Sequence, residues 1–296
     1  MSARSSIEWT ETTWNPVTGC DRVSPGCDHC YALTLSARLK AMGQPKYQRD
    51  GDPRTSGPGF GVTCHPQALD QPLSWRKPQT VFVNSMSDLF HPKVPDAFIA
   101  AVFAVMALAD RHRHQVLTKR PRRMRALLGR QGFRDLIAAA VVERDPTAAP
   151  LAEAVRDGQP SAWPLPPVWL GVSAEDTVRT RERLPLLADT PAVVRFVSAE
   201  PLLEPIDEAL VAPHDGQPVL GRMDWVIVGG ESGPQARPMD QSWATGVRDA
   251  CLAHRVPFFF KQWGGRTPKA GGRELDGRTW DQMPQPGTSL REAIPA

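Results

Sequence analysis

Short apolar runs rich in valine, isoleucine and phenylalanine recur along the chain, each followed by small or polar residues and then by a helix-compatible stretch. Runs of this length between turn-forming residues are typical of β-strands. Because the runs are nearly continuous in apolarity and do not alternate, they predict a parallel sheet that helices cover on both faces. The predicted strands cover residues 80–83, 115–118, 168–172, 193–197, 225–228 and 257–260, with a further short strand before Cys20.

The succession of strands and helices predicts an α/β fold, either a full or partial (β/α) barrel or an open doubly wound sheet. In both architectures ligands bind at the carboxyl ends of the strands. We expect one domain over residues 1–263. Within it, a variable insertion at about 141–167, rich in alanine, proline and charge, is expected to consist of a helix end followed by a loop. Residues 264–296 are rich in glycine, proline and charge, and are expected to form a tail that packs on the barrel or is partly flexible.

The longest apolar stretch, residues 97–109, has about two-thirds of the roughly 20 residues that a membrane-spanning helix needs, so it predicts a buried helix. The N-terminus has no apolar core of the kind that a secretory signal requires. We therefore expect a cytoplasmic protein with no membrane partner. A formal net charge of +3 permits an anionic partner but is too small to indicate one.

Three of the five cysteines lie close together in sequence, because Cys20, Cys27 and Cys30 have the spacing C-x6-C-x2-C. In a reducing cytoplasm, clustered cysteines indicate a metal more than they indicate disulfides. Three thiolates fill three iron corners of a [4Fe-4S] cluster and leave the fourth iron open, whereas structural zinc takes four protein ligands. The spacing therefore favours an iron–sulfur cluster held by these three residues.

Two alternatives to the cluster stay open. A zinc site would take its fourth ligand from a distant part of the chain, and the candidates for that ligand are Cys64, His29, His65 and His91. The three cysteines would otherwise be thiols without a metal. The loop itself can turn tightly at Pro25 and Gly26, and a helix is predicted to begin near Tyr31. Cys251 lies in a predicted helix at 243–254 and is expected to be a core residue.

A set of motifs follows in order along residues 6–265, namely WNPVTGC, CDHCYA, SMSDLF, LTKRP, GVSAE, SAEPLL, VGGESG and FFFKQWGG. With these motifs the chain resembles the phage Gp37/Gp68 (DUF5131, three-Cys-motif) family, and it also resembles the radical S-adenosylmethionine (SAM) superfamily. In that superfamily a three-cysteine loop follows the first strand of a full or partial (β/α) barrel. The resemblance therefore implies a barrel of radical SAM type.

The same resemblance implies an enzyme that cleaves SAM reductively to modify or repair a substrate. In that chemistry the open iron binds the amino and carboxylate groups of SAM, and one electron cleaves the sulfonium C–S bond. The spacing of the cysteines departs from the usual C-x3-C-x2-C of the superfamily. Ser85 and Asp88 occupy the place where the superfamily contacts the SAM amino group. His29 occupies the place of a residue that packs near adenine, or is an exposed loop histidine.

Polar residues also follow the later predicted strands. We interpret five of them as SAM contacts, namely Ser173, Glu175, Ser198, Glu200 and Glu231. Alternatively, each glutamate caps the helix that follows it. The string Gly229-Gly230-Glu231 lies too far along the chain to be the Gly-Gly-Glu motif of the superfamily, so the role of that motif is not transferred to it.

Basic residues at strand ends are candidates for binding an anionic substrate, and they are Lys119, Arg120 and Lys261. Guanidinium groups match phosphate oxygens, which favours a nucleic acid or nucleotide as the substrate. Alternatively, the arginines at 120, 122, 123 and 125 form the exposed side of a helix. Trp9, Trp14 and Trp263 either stack on a base or pack in the core.

Two functions are consistent with the sequence. The first is a radical SAM enzyme, which would need an electron donor for its cluster and acts on a nucleic acid or nucleotide. The second is a non-catalytic iron–sulfur or zinc protein that binds nucleic acid or a companion protein. The departures in the cysteine spacing and in the Gly-Gly-Glu-like element favour the second function.

Overall fold

The computed structural model describes residue 5, residues 7–267 and residues 269–284. These residues form two compact units. Unit one comprises the described residues within Met1–Arg22, Ala32–Leu170 and Thr190–Val193, and unit two those within Val23–Tyr31, Gly171–Asp189 and Val194–Ala296. The prediction of one domain over 1–263 stays a prediction. In the tail predicted at 264–296, residue 268 and the residues from 285 onward lie outside the described residues.

The main sheet is parallel and has seven strands, in the order β1-β4-β5-β6-β7-β10-β11. Two antiparallel pairs, β2-β3 and β8-β9, lie outside it. The strands are β1 Thr12–Trp14, β2 Val17–Thr18, β3 Thr63–Cys64, β4 Thr80–Val83, β5 Arg113–Thr118, β6 Val168–Ser173, β7 Val194–Ala199, β8 Pro213–His214, β9 Gln217–Pro218, β10 Trp225–Gly229 and β11 Phe258–Gln262.

The predicted strands are confirmed, each within two residues of its predicted bounds. The predicted short strand before Cys20 corresponds to β1 and β2. Along the main sheet each strand lies beside one that comes later in the chain, without reversal. A doubly wound sheet reverses its strand order at a switch point, whereas a (β/α) barrel winds in one direction. The α/β prediction with parallel strands and flanking helices is therefore confirmed, and the winding is of the barrel kind.

The α-helices of the described chain are α1 Tyr31–Ala41, α2 Asp96–Leu108, α3 Pro121–Leu128, α4 Gln131–Arg144, α5 Ala149–Arg156, α6 Thr177–Ala188, α7 Asp207–Leu210 and α8 Gln241–Ala253. The helix expected near Tyr31 is α1, and the buried apolar stretch is α2. Among the described residues, no helix has the length and apolarity needed to cross a membrane.

The loop predicted for the insertion at 141–167 is partly wrong, because α5 lies within it. This helix packs on α4 through one face that buries Ala152 and Val155. Its Pro150 stands in the first turn, where a missing N–H costs nothing. The composition that suggested a loop is therefore that of a short amphipathic helix.

The core of unit one joins α2 and α4 to the segment after β4 through three phenylalanines. The ring of Phe103 lies 6.4 Å from that of Phe90 and 5.8 Å from that of Phe133. All three side chains are buried. Each contributes about 1.5–3 kcal/mol by leaving water. This cluster therefore holds the residues that follow β4 in a fixed place.

The core of unit two is built on β7, β10 and β11. Trp225 packs on Phe196 and Phe259, with ring centroids 5.9 Å apart in both pairs. Cys251 in α8 is fully buried, which confirms it as a core residue. Burial raises the pKa of its thiol. Cys251 is therefore a small apolar side chain in chemical terms.

We predict that Gly171→Ala destabilises the protein, because a Cβ at position 171 would lie 2.4 Å from the buried ring of Phe196. Overpacking of this kind costs about 1–3 kcal/mol. The matched control is Gly132→Ala in α4, where a Cβ meets no atom within 4 Å. There alanine raises the free energy of unfolding by up to about 1 kcal/mol. Urea denaturation measures both values, and equal stabilities of the two variants would contradict the prediction.

Candidate functional site

The position of Cys20 is set by the glycine before it. Gly19 has a φ of +85°, and a Cβ there would lie 2.4 Å from the carbonyl group of Gly61. Its N–H donates to the carbonyl of Met86 at 2.9 Å. Only glycine combines this left-handed backbone with so close an approach. The chain therefore delivers Cys20 from the end of β2 to the segment that follows β4.

Asp88 organises this part of unit one, and with Thr118, Arg120 and Cys20 it forms what we term the Asp88 cluster. Oδ1 of Asp88 accepts from the Thr118 hydroxyl at 2.7 Å, and Oδ2 accepts from the backbone N–H of Lys119 at 3.0 Å. Asp88 follows β4 and Thr118 ends β5. Carboxyl ends of parallel strands meet at one edge, which explains how residues 30 apart in sequence come together.

Arg120 connects Asp88 to the first cysteine. Its Nη1 donates to Oδ2 of Asp88 at 3.0 Å and to Sγ of Cys20 at 3.4 Å. Its Nη2 donates to the carbonyl of Asp21 at 3.0 Å. Burial opposes the charge of Arg120, but Asp88 and Cys20 outweigh that effect and raise its pKa. Arg120 is thus a cation fixed against a cysteine sulfur.

The exposed-helix alternative is wrong for Arg120, whose side chain is 12% exposed. It is also wrong for Arg123, which donates to Asp96 and to the carbonyl of Val94. Arg122 and Arg125 are exposed, as that alternative expects. The stretch therefore divides into two supporting arginines and two exposed ones.

Asp21 anchors the chain just after Cys20, a role that the sequence interpretation missed. Its carboxylate accepts from the hydroxyls of Thr55 and Ser56 at 2.9 and 3.0 Å and from Lys93 Nζ at 3.1 Å. Nε2 of His91 lies 3.0 Å from the same carboxylate. Burial opposes ionisation of Asp21, but these hydrogen bonds prevail and hold its pKa well below the usual range. In the sequence, this role is indicated by the position of Asp21 directly after Cys20.

Cys27 and Cys30 lie in unit two on two consecutive tight turns. The N–H of Cys27 donates to the carbonyl of Ser24 at 2.9 Å, and that of Cys30 to the carbonyl of Cys27 at 3.3 Å. The first turn is a short 3-10 helix, Pro25–Cys27, and α1 begins one residue after Cys30. Both cysteines are half-buried. The predicted tight turn at Pro25 is confirmed.

Glu231 supports this loop from the segment after β10, and we term Glu231, Arg237 and His29 the Glu231 cluster. Its carboxylate accepts from Arg237 Nη2 at 2.5 Å and lies 3.0 Å from Nδ1 of His29. Nη2 of Arg237 also donates to the carbonyl of Pro25 at 2.9 Å. Burial opposes ionisation, but the hydrogen bonds from Arg237 and His29 lower the pKa of Glu231 to about 2. The sequence interpretation missed Arg237, which no motif marks.

The other two glutamates of unit two are also paired. Glu175 is 0% exposed and accepts from Arg183 at 2.8 Å. Glu200 lies 2.8 Å from Nζ of Lys261 and accepts from the hydroxyl of Ser198 at 3.1 Å. Lys261, predicted to bind an anion, is therefore already partnered by a carboxylate.

The capping alternative is wrong for all three glutamates. Asp176 caps α6 by accepting from the N–H of Arg179, and Asp240 caps α8 by accepting from the N–H of Ser242. The residue at the cap of α7 is Ile206. The acids predicted as ligand contacts are thus partners of basic side chains.

The remaining predicted residues take part in local support. The hydroxyl of Ser85 lies 3.2 Å from the side-chain amide of Asn15, and the carbonyl of Ser173 accepts from Arg183 at 2.9 Å. Lys119 joins the Asp88 cluster through its backbone. Trp14 is fully buried and Trp9 nearly so, which favours core packing for both. Trp263 packs on Phe260 at 4.9 Å.

The paired glycines of VGGESG have a steric explanation. A Cβ on Gly230 would lie 1.9 Å from the carbonyl oxygen of Trp263, and a Cβ on Gly229 would lie 2.8 Å from Oε1 of Glu200. The backbone of Trp263 therefore demands glycine at position 230, whereas at position 229 the neighbour is the end of a side chain. Packing therefore explains the glycine at position 230 of this Gly-Gly-Glu string without a bound ligand.

A family model described as "Protein of unknown function (DUF5131)" matches residues 4–284. The chain belongs to the DUF5131 family. No curated protein and no solved structure matches it. Membership confirms the narrower of the two resemblances, and it does so over nearly the whole chain.

The side chains predicted as a fourth zinc ligand differ in their contacts in this DUF5131 protein. His91 uses both ring nitrogens, because Nε2 contacts Asp21 and Nδ1 accepts from the N–H of Lys93 at 3.1 Å. Nε2 of His65 lies 2.8 Å from the hydroxyl of Thr18, and Nδ1 of His29 faces Glu231. Burial raises the pKa of Cys64, which opposes the thiolate that a metal requires. His91 is therefore unsuited to bind zinc in this arrangement, whereas His29 and His65 each have a second ring nitrogen that these contacts do not use, so the zinc alternative stays open.

We predict that Arg237→Gln lowers the free energy of unfolding by about 1–3 kcal/mol at pH 7, because it leaves a buried carboxylate short of its strongest partner. The pKa of Glu231 is about 2 in the fold, against an ordinary value of 4.5. A carboxyl group whose pKa is lower in the folded than in the unfolded protein stabilises the fold fully at pH values above its unfolded pKa. This stabilisation is lost as the pH falls through the folded pKa. The difference between variant and wild type should shrink from pH 4.5 toward pH 2.

Denaturant titrations over this pH range measure the difference. Arg222→Gln is the matched control, since it breaks an exposed ion pair with Asp215, at 3.4 Å, in the same unit. Exposed ion pairs change the free energy of unfolding by no more than about 0.5 kcal/mol, so this variant should be almost as stable as the wild type. A destabilisation by Arg237→Gln that is equal at all pH values contradicts the role given to Glu231.

Proposed function

We propose that the chain holds a [4Fe-4S] cluster on Cys20, Cys27 and Cys30 and is an enzyme of radical SAM type. The observation that carries this proposal is the guanidinium of Arg120 at 3.4 Å from Sγ of Cys20. A neighbouring cation favours the thiolate, which is the form that binds metal. Cys27 and Cys30, which are half-buried on consecutive turns and have the spacing C-x2-C, offer two further sulfurs.

A bound cluster would supply the single electron that cleaves the sulfonium C–S bond of SAM. The residues of the chain would bind and orient SAM and exclude water. SAM carries an ammonium and a carboxylate on its methionine end. Glu200 and Lys261, paired at 2.8 Å, offer one group of each sign to such a zwitterion. The full burial of Glu175 with Arg183 instead favours a structural role for that pair.

The proposed substrate is a nucleic acid or nucleotide. Arg122 and Arg125 on α3 are exposed, and guanidinium groups suit phosphate oxygens. The reaction needs an electron donor, and we propose a companion protein for that role. An oxygen-sensitive cluster also favours the reducing cytoplasm as the location.

A second candidate is a non-catalytic iron–sulfur or zinc protein that binds nucleic acid or a partner protein. The pairing of the predicted ligand contacts with basic side chains favours it. Asp88 with Arg120, Glu231 with Arg237, and Glu175 with Arg183 are complete ion pairs. Such pairs support a loop around a metal without any requirement for SAM.

We predict that protein purified and reconstituted without oxygen contains iron and sulfide, and that after reduction it converts SAM into 5′-deoxyadenosine. Cys27→Ala should abolish cluster loading, because it removes one of three thiolate ligands. Cys64→Ala is the matched control and should load normally, since the strand β3 places it outside the cysteine loop. Iron and sulfide analysis, absorption spectra and chromatography of the products measure these outcomes.

An intact cluster that yields no 5′-deoxyadenosine would reject the enzyme and favour the non-catalytic candidate. Zinc without iron or sulfide in protein purified under anoxia would reject the cluster altogether. Retention of iron by Cys27→Ala would reject the ligand assignment.

A further inference from the structure

We infer that Arg120 is a positioning residue that donates a hydrogen bond to the Cys20 sulfur and so raises the reduction potential of a cluster bound there. This inference rests on the cluster of the proposed function. It concerns a property of the cluster and not its presence, and it applies to the enzyme and to the non-catalytic candidate alike.

The guanidinium is fixed before any metal binds. Its Nη1 lies 3.0 Å from Asp88 and 3.4 Å from Cys20 Sγ, while Nη2 lies 3.0 Å from the carbonyl of Asp21. The side chain is 12% exposed. Asp88 is itself held by the hydroxyl of Thr118 and by the backbone N–H of Phe90. The donor therefore pays no ordering cost when the sulfur becomes a ligand.

The charge of the donor decides the direction of the effect. Reduction adds one negative charge to the cluster and its sulfurs. A fixed cation that donates to a ligand sulfur stabilises the reduced form more than the oxidised form, so the potential rises. Arginine keeps this charge at every accessible pH. By comparison, Sγ of Cys27 lies 3.9 Å from the hydroxyl of Ser24, which is a neutral group.

The test uses Arg120→Gln, which removes the charge, and Arg120→Lys, which keeps the charge but not the fork. Reduction midpoints of the anaerobically reconstituted full-length proteins are measured by a titration followed with electron paramagnetic resonance. We expect the Gln variant to shift the midpoint to a more negative value, and the Lys variant to shift it by less. Circular dichroism and iron content establish that each variant is folded and loaded.

The control is Arg123→Gln, three residues further along, which breaks an ion pair with Asp96 whose two side chains are more exposed. Its midpoint should equal that of the wild type. An Arg120→Gln protein with a full cluster and an unchanged midpoint overturns the inference. If that variant does not load, Arg120→Met, which also removes the charge and the hydrogen bond, takes its place, and an unchanged midpoint in it overturns the inference equally. A wild-type protein without iron and sulfide rejects the proposed function instead, before Arg120 is tested.

Discussion

The three cysteines lie on a segment that an arginine holds in place in each unit. In both units this arginine binds a buried carboxylate. Arg120 on Asp88 contacts Cys20, and Arg237 on Glu231 binds the carbonyl of the turn before Cys27. An irregular loop has no ladder of hydrogen bonds for its backbone, so side chains must satisfy it. Arginine suits this task because its planar fork can bind a carboxylate and a carbonyl together and remains charged when buried.

Buried pairs of this kind also limit what can bind. Removing one member of a pair that lies largely out of water leaves the other charge uncompensated, which costs free energy. A ligand that approaches Glu200 must therefore replace Lys261 with a cation of its own, and must give Lys261 an anion in return. A zwitterion meets both conditions, whereas a simple cation or anion meets one. The pair of Glu200 and Lys261 therefore favours a zwitterionic ligand over a ligand with a single charge.

The strands and the helix after the cysteines could be predicted because their signals are local. Apolar runs such as 225–228 mark a covered strand wherever the strand lies. The pairs could not be predicted in the same way. Arg120 and Asp88 are 32 residues apart, and His29 and Glu231 are 202 apart, so their contacts depend on strand order. The helix α5 was missed because alanine and proline suit both a loop and a helix start.

Asp88 shows how the predicted ligand contacts relate to the cysteines. A carboxylate has about four acceptor positions, and Asp88 uses them for the N–H groups of Phe90 and Lys119, the Thr118 hydroxyl and Arg120. A SAM ammonium at Asp88 would have to displace one of these donors. Among these donors, Nη1 of Arg120 also donates to the Cys20 sulfur. Binding there would therefore loosen the support of Cys20, so Asp88 is better suited to hold this cysteine than to bind the ammonium of SAM.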